Sequence, residues 1–496
     1  MSLAMPNACT EPAPHADFYD EYADDAVHDE CGVFGVFAPG EDVARYTYFA
    51  LQALQHRGQE SAGMAVGDGT TVMCVKNLGL VTQVFEETDL NTLKGDLAIG
   101  HTRYPCKGEE PNWSSAQPHL SHIGRQLVAL AHNGNLVEID ELRARLTEQD
   151  IELESHSNSQ ALATIISAFT QKHNHIRNGM AETMSLIEGA YAVVLMTEEA
   201  LYAFRDPHGI RPLAIGKLSD NEGLVVASET AAFDIVGAEY LRDVEPGEII
   251  KISRAGLESM QGAEPKRDAL CVFEFVYIAR PDSVFYGRSI HEVRHRMGEI
   301  LAAEAPVKAD LIMSAPASGT PAAIGYAAGS GVLYGEGLTK NNYVGRTFIE
   351  PSQALRRLGV RLKLNPIRSN IAGKRVVLVD DSIVRGTTMK EIVKMLRDAG
   401  AAEVHVRISS PPVLWPCFYG VDTDTREQLI AASLSVKEID EFIGADSLAY
   451  ISIDGMVEAT GRKRDQLCCA CFDGDYPVHV SDEVKNSKKG RETWKN

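Results

Sequence analysis

The chain has no apolar run approaching the ~18 residues of a membrane-spanning helix, which excludes a transmembrane reading from hydropathy. Its first thirty residues hold no Lys, no Arg and no apolar core, so they do not form a secretory signal. Basic residues are scarce: 48 Lys and Arg stand against 69 Asp and Glu, a formal net charge of −21. That balance argues against non-specific nucleic-acid binding, and an anionic substrate would have to be met by local donors and metal against the overall field. The nine cysteines are unevenly spaced and do not form a secreted disulfide framework. A reducing cytoplasm with reactive or metal-bound thiols fits them better. No internal repeat is present, and low complexity is confined to residues 1–30, rich in Ala, Pro, Asp and Glu and expected to be disordered.

What is present is a globular composition, 44% hydrophobic and 24% charged, spread over 496 residues, too many for one ordinary core. Two large domains are therefore expected. Cys31-Gly-Val-Phe-Gly-Val-Phe37 reads as a core strand. From there to about Gln261, strands are expected at 98–103, 126–132, 191–196 and 223–228, and helices at 44–55 and 159–171. Strands and helices in separate runs indicate α+β layers. Gly262-Ala-Glu-Pro-Lys-Arg-Asp268 is polar, contains Pro and reads as a linker, so 262–270 is expected to separate a domain at 31–261 from a second at 271–480, with a polar tail at 481–496. Strand–helix alternation returns beyond it, at 310–314 and 321–328.

The second half is organised around Lys374-Arg-Val-Val-Leu-Val-Asp-Asp-Ser-Ile-Val-Arg-Gly-Thr-Thr388. Val376 to Val379 read as a strand buried on both faces, ending in Asp380 and Asp381. A small-residue loop follows, then a helix from Met389 with Ile392, Val393 and Leu396 on one face and Gly400 as its stop; Val404 to Ile408 form the next strand. In parallel sheets, ligands bind at the carboxyl ends of strands, and helix N-termini attract phosphate. Gly386, Thr387 and Thr388 can supply donors there, while Asp380 and Asp381 can hold ribose hydroxyls or hydrated Mg²⁺. A ribose carrying a 5-phosphate fits.

This stretch resembles the phosphoribosyl pyrophosphate (PRPP) loop of type I phosphoribosyltransferases. With Tyr343-Val-Gly-Arg-Thr-Phe-Ile349 and Pro351-Ser-Gln353 it is similar to that of the glutamine PRPP amidotransferases. In the first half, Cys31-Gly-Val-Phe-Gly, Gln55-His-Arg-Gly-Gln59, Gly100-His-Thr-Arg103 and His132-Asn-Gly-Asn135 together resemble the class II glutamine amidotransferases of the N-terminal-nucleophile fold. The resemblance runs from Cys31 to about Pro477. It implies an αββα glutaminase domain followed by a phosphoribosyltransferase domain with a mainly parallel sheet.

For the first domain the resemblance implies cleavage of the Glu30–Cys31 bond. A free α-amine, with a pKa of about 7.7–8, can then act as base for its own thiol. Asn133 and the Gly134 N–H would form the oxyanion hole, Arg103 would clamp the glutamine carboxylate, and Arg57 and Asn158 would join the substrate site. Asn158 stands in Ser157-Asn-Ser-Gln160 where the family has a Ser-Asp-Thr-Glu-like run, so a charge is missing and weaker glutamine binding is expected. Cys106 reads as a loop cysteine.

For the second domain the resemblance implies PRPP contacts from Lys340, Arg346, Asp380, Asp381, Arg385, Gly386, Thr387 and Thr388. It implies Mg²⁺ at Ser318, Asp380 and Asp381, and a lid from about 340 to 353. Ala317 replaces an acid of the family's Pro-Asp-Ser-Gly turn, and Asn342 replaces an arginine. The two sites should be joined by a dry passage for ammonia.

Cys468-Cys-Ala-Cys471 contains a C-x-x-C pair that suits zinc or a redox dithiol by spacing alone. With Cys271 and Cys417, Cys468 and Cys471 resemble the ligand set of the family's [4Fe–4S]-bearing branch, and Cys469 is the odd one out. The expectation is an amidophosphoribosyltransferase that makes 5-phosphoribosylamine from glutamine and PRPP. The family precedent adds a cytoplasmic homotetramer inhibited by purine nucleotides. The rival reading is a catalytically impaired or regulatory, nucleotide-sensing homologue, motivated by Asn158, Ala317 and Asn342; Cys31 with Asn133 and Gly134 argues against the sensing form, which lacks a nucleophile domain.

Overall fold

The computed structural model describes residues 31–104, 112–137, 139–148, 151–153, 157–341, 363–421, 423 and 425–481. Alternating apolar residues in the first half build two antiparallel sheets, of seven and six strands. At the centre of the larger sheet, Gly32–Phe37 pairs with Leu97–Arg103 on one side and Leu224–Ala227 on the other. Because successive side chains point to opposite faces, Val33 and Phe37 enter a core shared by the two sheets, with Ile99, Ala131 and Val194. Phe34 and Val36 point the other way, onto the helix Val43–Ala53.

The smaller sheet repeats this pattern. Tyr191, Val193 and Leu195 of Gly189–Met196 pack on Asn158–His173 through Leu162, Ile166 and Phe169, and on Ile176–Leu186 through Met180 and Met184. Helix, sheet, sheet and helix thus form four layers with three apolar seams, the expected αββα class.

The second half contains a four-stranded parallel sheet in the order Leu311–Ser314, Arg375–Asp380, Glu403–Ile408, Ser447–Tyr450. Arg375–Asp380 is central and β-branched. Its Val377 and Val379 face the helices Ile290–Glu304 and Thr320–Ser330, while Val376 and Leu378 face Thr387–Asp398 and Val436–Ile443. Both faces are covered, as a parallel sheet requires.

The halves share a core: Ala190 and Ile210 of the first pack with Val272, Phe273 and Phe275 of the second. A two-residue parallel bridge sets Leu270–Cys271 beside Leu467–Cys468, pairing Cys271 with Cys468. Directly after it, Glu274–Ile278 forms one π-helical turn, which nothing in the sequence announces.

Candidate active site

Cys31 opens the central strand of the first half. It is buried, and its backbone is left-handed, with φ of +66°. Its neighbour Gly32 pairs with Thr102, so Arg103 lies at the same end of the sheet. Arg103 is mostly buried and ion-paired with Glu60.

Across the sheet–sheet seam runs Gln126–Leu136 with Asn133, Gly134 and Asn135. Asn133 is fully buried and neither atom of its side-chain amide has a hydrogen-bond partner, an arrangement awaiting a polar guest. Gly134 has φ of +128°, and a Cβ there would stand 2.1 Å from the Ala190 carbonyl oxygen, so no other residue fits. Asn158, at the start of its helix, donates from Nδ2 to Asn135 Oδ1 at 2.7 Å and leaves its own buried Oδ1 unpartnered. An orphan acceptor is what a substrate ammonium would use.

Three histidines lie beneath. His101 Nε2 contacts the His132 carbonyl at 3.1 Å, and His132 Nδ1 lies 3.4 Å from Ser159 Oγ. Burial pushes His119 and His132 down to about 3 and His101 well below the usual imidazole range, so all three are neutral near pH 7. The His132 main chain is clamped by Gln117, whose Oε1 accepts from its N–H at 2.8 Å.

Arg57 departs from expectation. Its guanidinium is fully buried between Glu229 and Glu274, and its Nε donates to the Cys31 carbonyl at 3.3 Å. Two carboxylates already engage the fork that a substrate carboxylate would need, and Arg57 instead holds the backbone of Cys31. Burial alone would raise the Glu229 carboxyl, but His56 and Arg57 outweigh it and hold it far below the carboxylate range. The partners Glu229, Glu274 and Gln117 escaped the sequence reading because each is an isolated polar residue outside any motif.

In the second half, Asp380 ends the central strand and Asp381 follows, nearly buried. Desolvation, then the adjacent Asp381 carboxylate, pushes the Asp380 carboxyl well above its usual range. Such a pair is stabilised by an incoming cation. The turn carrying Ser318 lies against them: Ala315 N–H donates to the Val379 carbonyl at 2.9 Å, and a Cβ on Gly319 would stand 3.0 Å from Asp380 Cα. Gly386, left-handed at φ +79°, leads into Thr387–Asp398, so Thr387 and Thr388 begin the helix. Arg385 is half-buried, 3.4 Å from Gln428 Oε1. Lys340 is exposed at the end of the ribbon strand Leu338–Lys340. Arg346, Asn342, Cys106 and nearly all of the expected lid lie outside the described residues.

Cys271, Cys417, Cys468 and Cys471 line one cavity of about 20 Å³, walled by Ile210, Phe273 and Tyr476 among others. Burial raises the Cys271 thiol to about 12 and lifts Cys468 and Cys471 well above the thiol range, with the neighbouring thiols adding to it. Main-chain N–H groups of Leu414 and Trp415 donate to the Cys471 carbonyl, fastening the Cys417 loop to the C-terminal segment. Cys469 is buried but does not line the cavity; burial pushes its thiol up to about 11, with Arg464 and Arg267 opposing. Among the described residues, no three His, Cys, Asp or Glu side chains converge on a single-ion site. The four thiols surround a space instead.

The centres touch. Asn135 Nδ2 donates to the Phe418 carbonyl at 3.0 Å, and Arg211 Nε to the Tyr419 carbonyl at 3.0 Å.

Residues 110–234 match the glutamine amidotransferase domain family, and residues 289–409 the phosphoribosyl transferase domain family. The chain is 52% identical to an amidophosphoribosyltransferase of Synechococcus elongatus, covering 95% of each. It is 47% identical to that of Bacillus subtilis over 92% of this chain and 95% of the other. It superposes with a TM-score of 0.86 and 45% identity on a solved structure of "the allosteric regulatory enzyme of purine biosynthesis", covering 91% of this chain and 97% of that one. Against glutamine PRPP amidotransferase from Bacillus subtilis complexed with ADP and GMP the TM-score is 0.85 at 46% identity, over 91% and 98%. With its two domain types in this order and its kinship spanning nearly the whole length, the chain belongs to the amidophosphoribosyltransferase family, the glutamine-dependent enzymes of the first step of purine biosynthesis.

Proposed function

We propose that Cys31 is the nucleophile of glutamine hydrolysis and that the ammonia released is consumed at Asp380 and Asp381. The Cys31 thiol gives its proton to the free α-amine as its sulfur attacks the glutamine amide carbon, and that proton passes to the nitrogen as the C–N bond breaks and ammonia leaves. Water then cleaves the thioester to give glutamate. Asn133 Nδ2 and the Gly134 N–H receive the developing oxyanion, Arg103 takes the substrate carboxylate, and the Asn158 Oδ1 accepts from its ammonium. The histidine floor, being neutral, adds no positive charge of its own to compete with Arg103 for the substrate's carboxylate.

At the second centre Asp380 and Asp381 hold the ribose hydroxyls, and the N-terminus of Thr387–Asp398, with Arg385, Gly386, Thr387 and Thr388, holds the 5-phosphate. Ammonia attacks C1 of PRPP, diphosphate leaves, and 5-phosphoribosylamine forms with inversion. Mg²⁺ bound by Asp380, Asp381 and Ser318 would supply charge neutralisation of the leaving diphosphate, to which Lys340 and Arg346 add their own. The raised Asp380 carboxyl beside Asp381 supports that assignment.

The four cavity thiols suit a [4Fe–4S] cluster with a structural role. Four thiols lining one cavity suit all-sulfur ligation of a cubane or of zinc, and the resemblance to the cluster-bearing branch favours the cubane. Free thiols throughout the described residues suit a reducing cytoplasm. The ADP and GMP bound by the Bacillus subtilis relative support feedback by purine nucleotides. A homotetramer and a division into 31–261 and 271–480 complete the reading.

The Asn135–Phe418 bond carries it: the strand of Asn133 and Gly134 is fastened to the phosphoribosyltransferase half, as transfer of ammonia within one molecule demands. Glutamine- and ammonia-dependent diphosphate release, assayed in parallel, test it. Cys31→Ala should lose the first and keep the second; Asp380→Asn with Asp381→Asn should lose both. Glutaminase activity in Cys31→Ala would overturn the nucleophile assignment.

A further inference from the structure

Four buried charges separate the two halves of the chain. Arg57 and Glu229 come from the first half, Glu274 from the second, and Arg211 reaches across; none of the four side chains is exposed. Glu274 grips the outer fork of Arg57 at both ends, Oε1 accepting from Nη2 at 2.7 Å and Oε2 from Nη1 at 3.1 Å. It also accepts from Arg211 Nη1 at 3.3 Å. Glu229 reaches only Nη1 of Arg57, and is itself held by Ser283 Oγ at 2.7 Å and the Arg280 N–H at 2.9 Å. Arg57 Nε in turn donates to the Cys31 carbonyl at 3.3 Å.

We propose that Glu274, from the phosphoribosyltransferase half, is a positioning residue for the Cys31 nucleophile, acting through Arg57. The inference rests on Cys31 being the nucleophile and on a chain that begins there. An N-terminal residue has no preceding peptide, so its φ fixes nothing. Its ψ then decides where the amine and the Cβ point relative to the strand, and χ1 places the thiol from there. A donor on the carbonyl fixes the first peptide plane, the frame from which ψ and χ1 place base and nucleophile. Arg57 can do this only if its own plane is fixed, and a bidentate carboxylate fixes that plane.

Glu274 sits on the single π-helical turn, whose carbonyls are held by Arg294: Nε donates to Phe275 O at 2.7 Å and Nη2 to Ala279 O at 2.8 Å. The irregular turn is therefore rigidly staked, and it aims a carboxylate across the junction. Neither half alone would hold Cys31 in this way.

The test is Glu274→Gln in the full chain. An amide of the same shape keeps one hydrogen bond to the fork and loses the charge and the second acceptor. Displacing a reacting group by ~1 Å costs up to about 100-fold. The expected result is therefore a fall in kcat for glutamine hydrolysis of about 10- to 100-fold, with KM for glutamine within about twofold and ammonia-dependent synthesis retained. Alkylation of Cys31 by a diazo-ketone glutamine analogue should slow in parallel. Unchanged kcat in folded protein would overturn the proposal, as would an equal loss of ammonia-dependent synthesis, which marks general damage. Should Glu274→Gln not fold, Arg57→Met with Glu274→Leu removes one charge of each sign. Exchanging a buried pair for apolar residues is often neutral for stability, and the same kinetic split is expected. Cys31→Ala, run beside these, separates the two readings: retained glutaminase activity there refutes the nucleophile, whatever Glu274 does.

Discussion

Gly420 lies directly over Gly134, the Cα of Gly134 standing 3.1 Å from the position a Gly420 Cβ would take. Gly420 has φ of +113°, and its missing side chain also leaves room for Arg211 Nη2, 2.6 Å from the same point. The loop that carries Cys417 thus rests on the proposed oxyanion strand with no atoms to spare.

Gly420→Ala should consequently destabilise the protein by about 1–3 kcal/mol through its backbone alone. Because the new methyl presses on Gly134, glutamine-dependent synthesis should fall several-fold more than ammonia-dependent synthesis. Thermal unfolding and the two parallel assays read these effects; equal losses in both activities would argue that the contact is merely structural.

Processing is the second expectation. The left-handed backbone of Cys31 costs about 1–2 kcal/mol for a residue bearing a Cβ, and it exists only while a peptide bond precedes the residue. Intact-mass measurement of active protein should show a chain beginning at Cys31, thirty residues shorter. Full glutamine-dependent activity with residues 1–30 attached would remove the α-amine from the mechanism.

The thiol cavity makes a compositional prediction. Protein purified without oxygen should be brown and carry about four irons and four labile sulfides per chain. Serine at Cys271, Cys417, Cys468 or Cys471 should give colourless protein that unfolds more easily, because a cluster in this cavity would fasten the C-terminal segment to the strand at Leu270–Cys271. Cys469→Ser should stay brown, since Cys469 does not line the cavity. Stoichiometric zinc without labile sulfide would replace the cluster with a four-thiolate zinc site.

The buried histidines predict a pH dependence of stability. His119 and His132 titrate near 3 when folded and near 6.5 when unfolded, so between those values the unfolded chain binds more protons. Stability is complete above about pH 6.5 and is lost as pH falls towards 3, each histidine adding a slope of about 1.4 kcal/mol per pH unit within that window. Denaturant midpoints measured from pH 7.5 to 4.5 should fall accordingly. His119→Gln should flatten the profile by about one proton; an unaltered slope would show that His119 is protonated in the fold.

Residue pattern alone determined the strand–loop–helix of 375–398, because a β-branched run, paired acids and a Gly-Thr-Thr helix start are local signals, and local sterics and hydrophobic periodicity suffice to decode them. The same holds for the strand after Cys31 and the helix from Asn158, whose apolar periods are set by neighbours in the chain. The αββα layering was legible only coarsely, since periodicity shows that a face is buried but not against what. Tertiary structure alone decided the fate of Arg57: its motif marks a functional arginine, but its partners Glu229 and Glu274 are 172 and 217 residues away and belong to no pattern. The π-helical turn, the pairing of Cys271 with Cys468 and the seating of Gly420 on Gly134 were invisible for the same reason. Buried ion pairs and close backbone contacts are satisfied by whichever chain segments the fold brings together. Their energy depends on distance and desolvation in three dimensions, quantities that spacing along a chain does not encode.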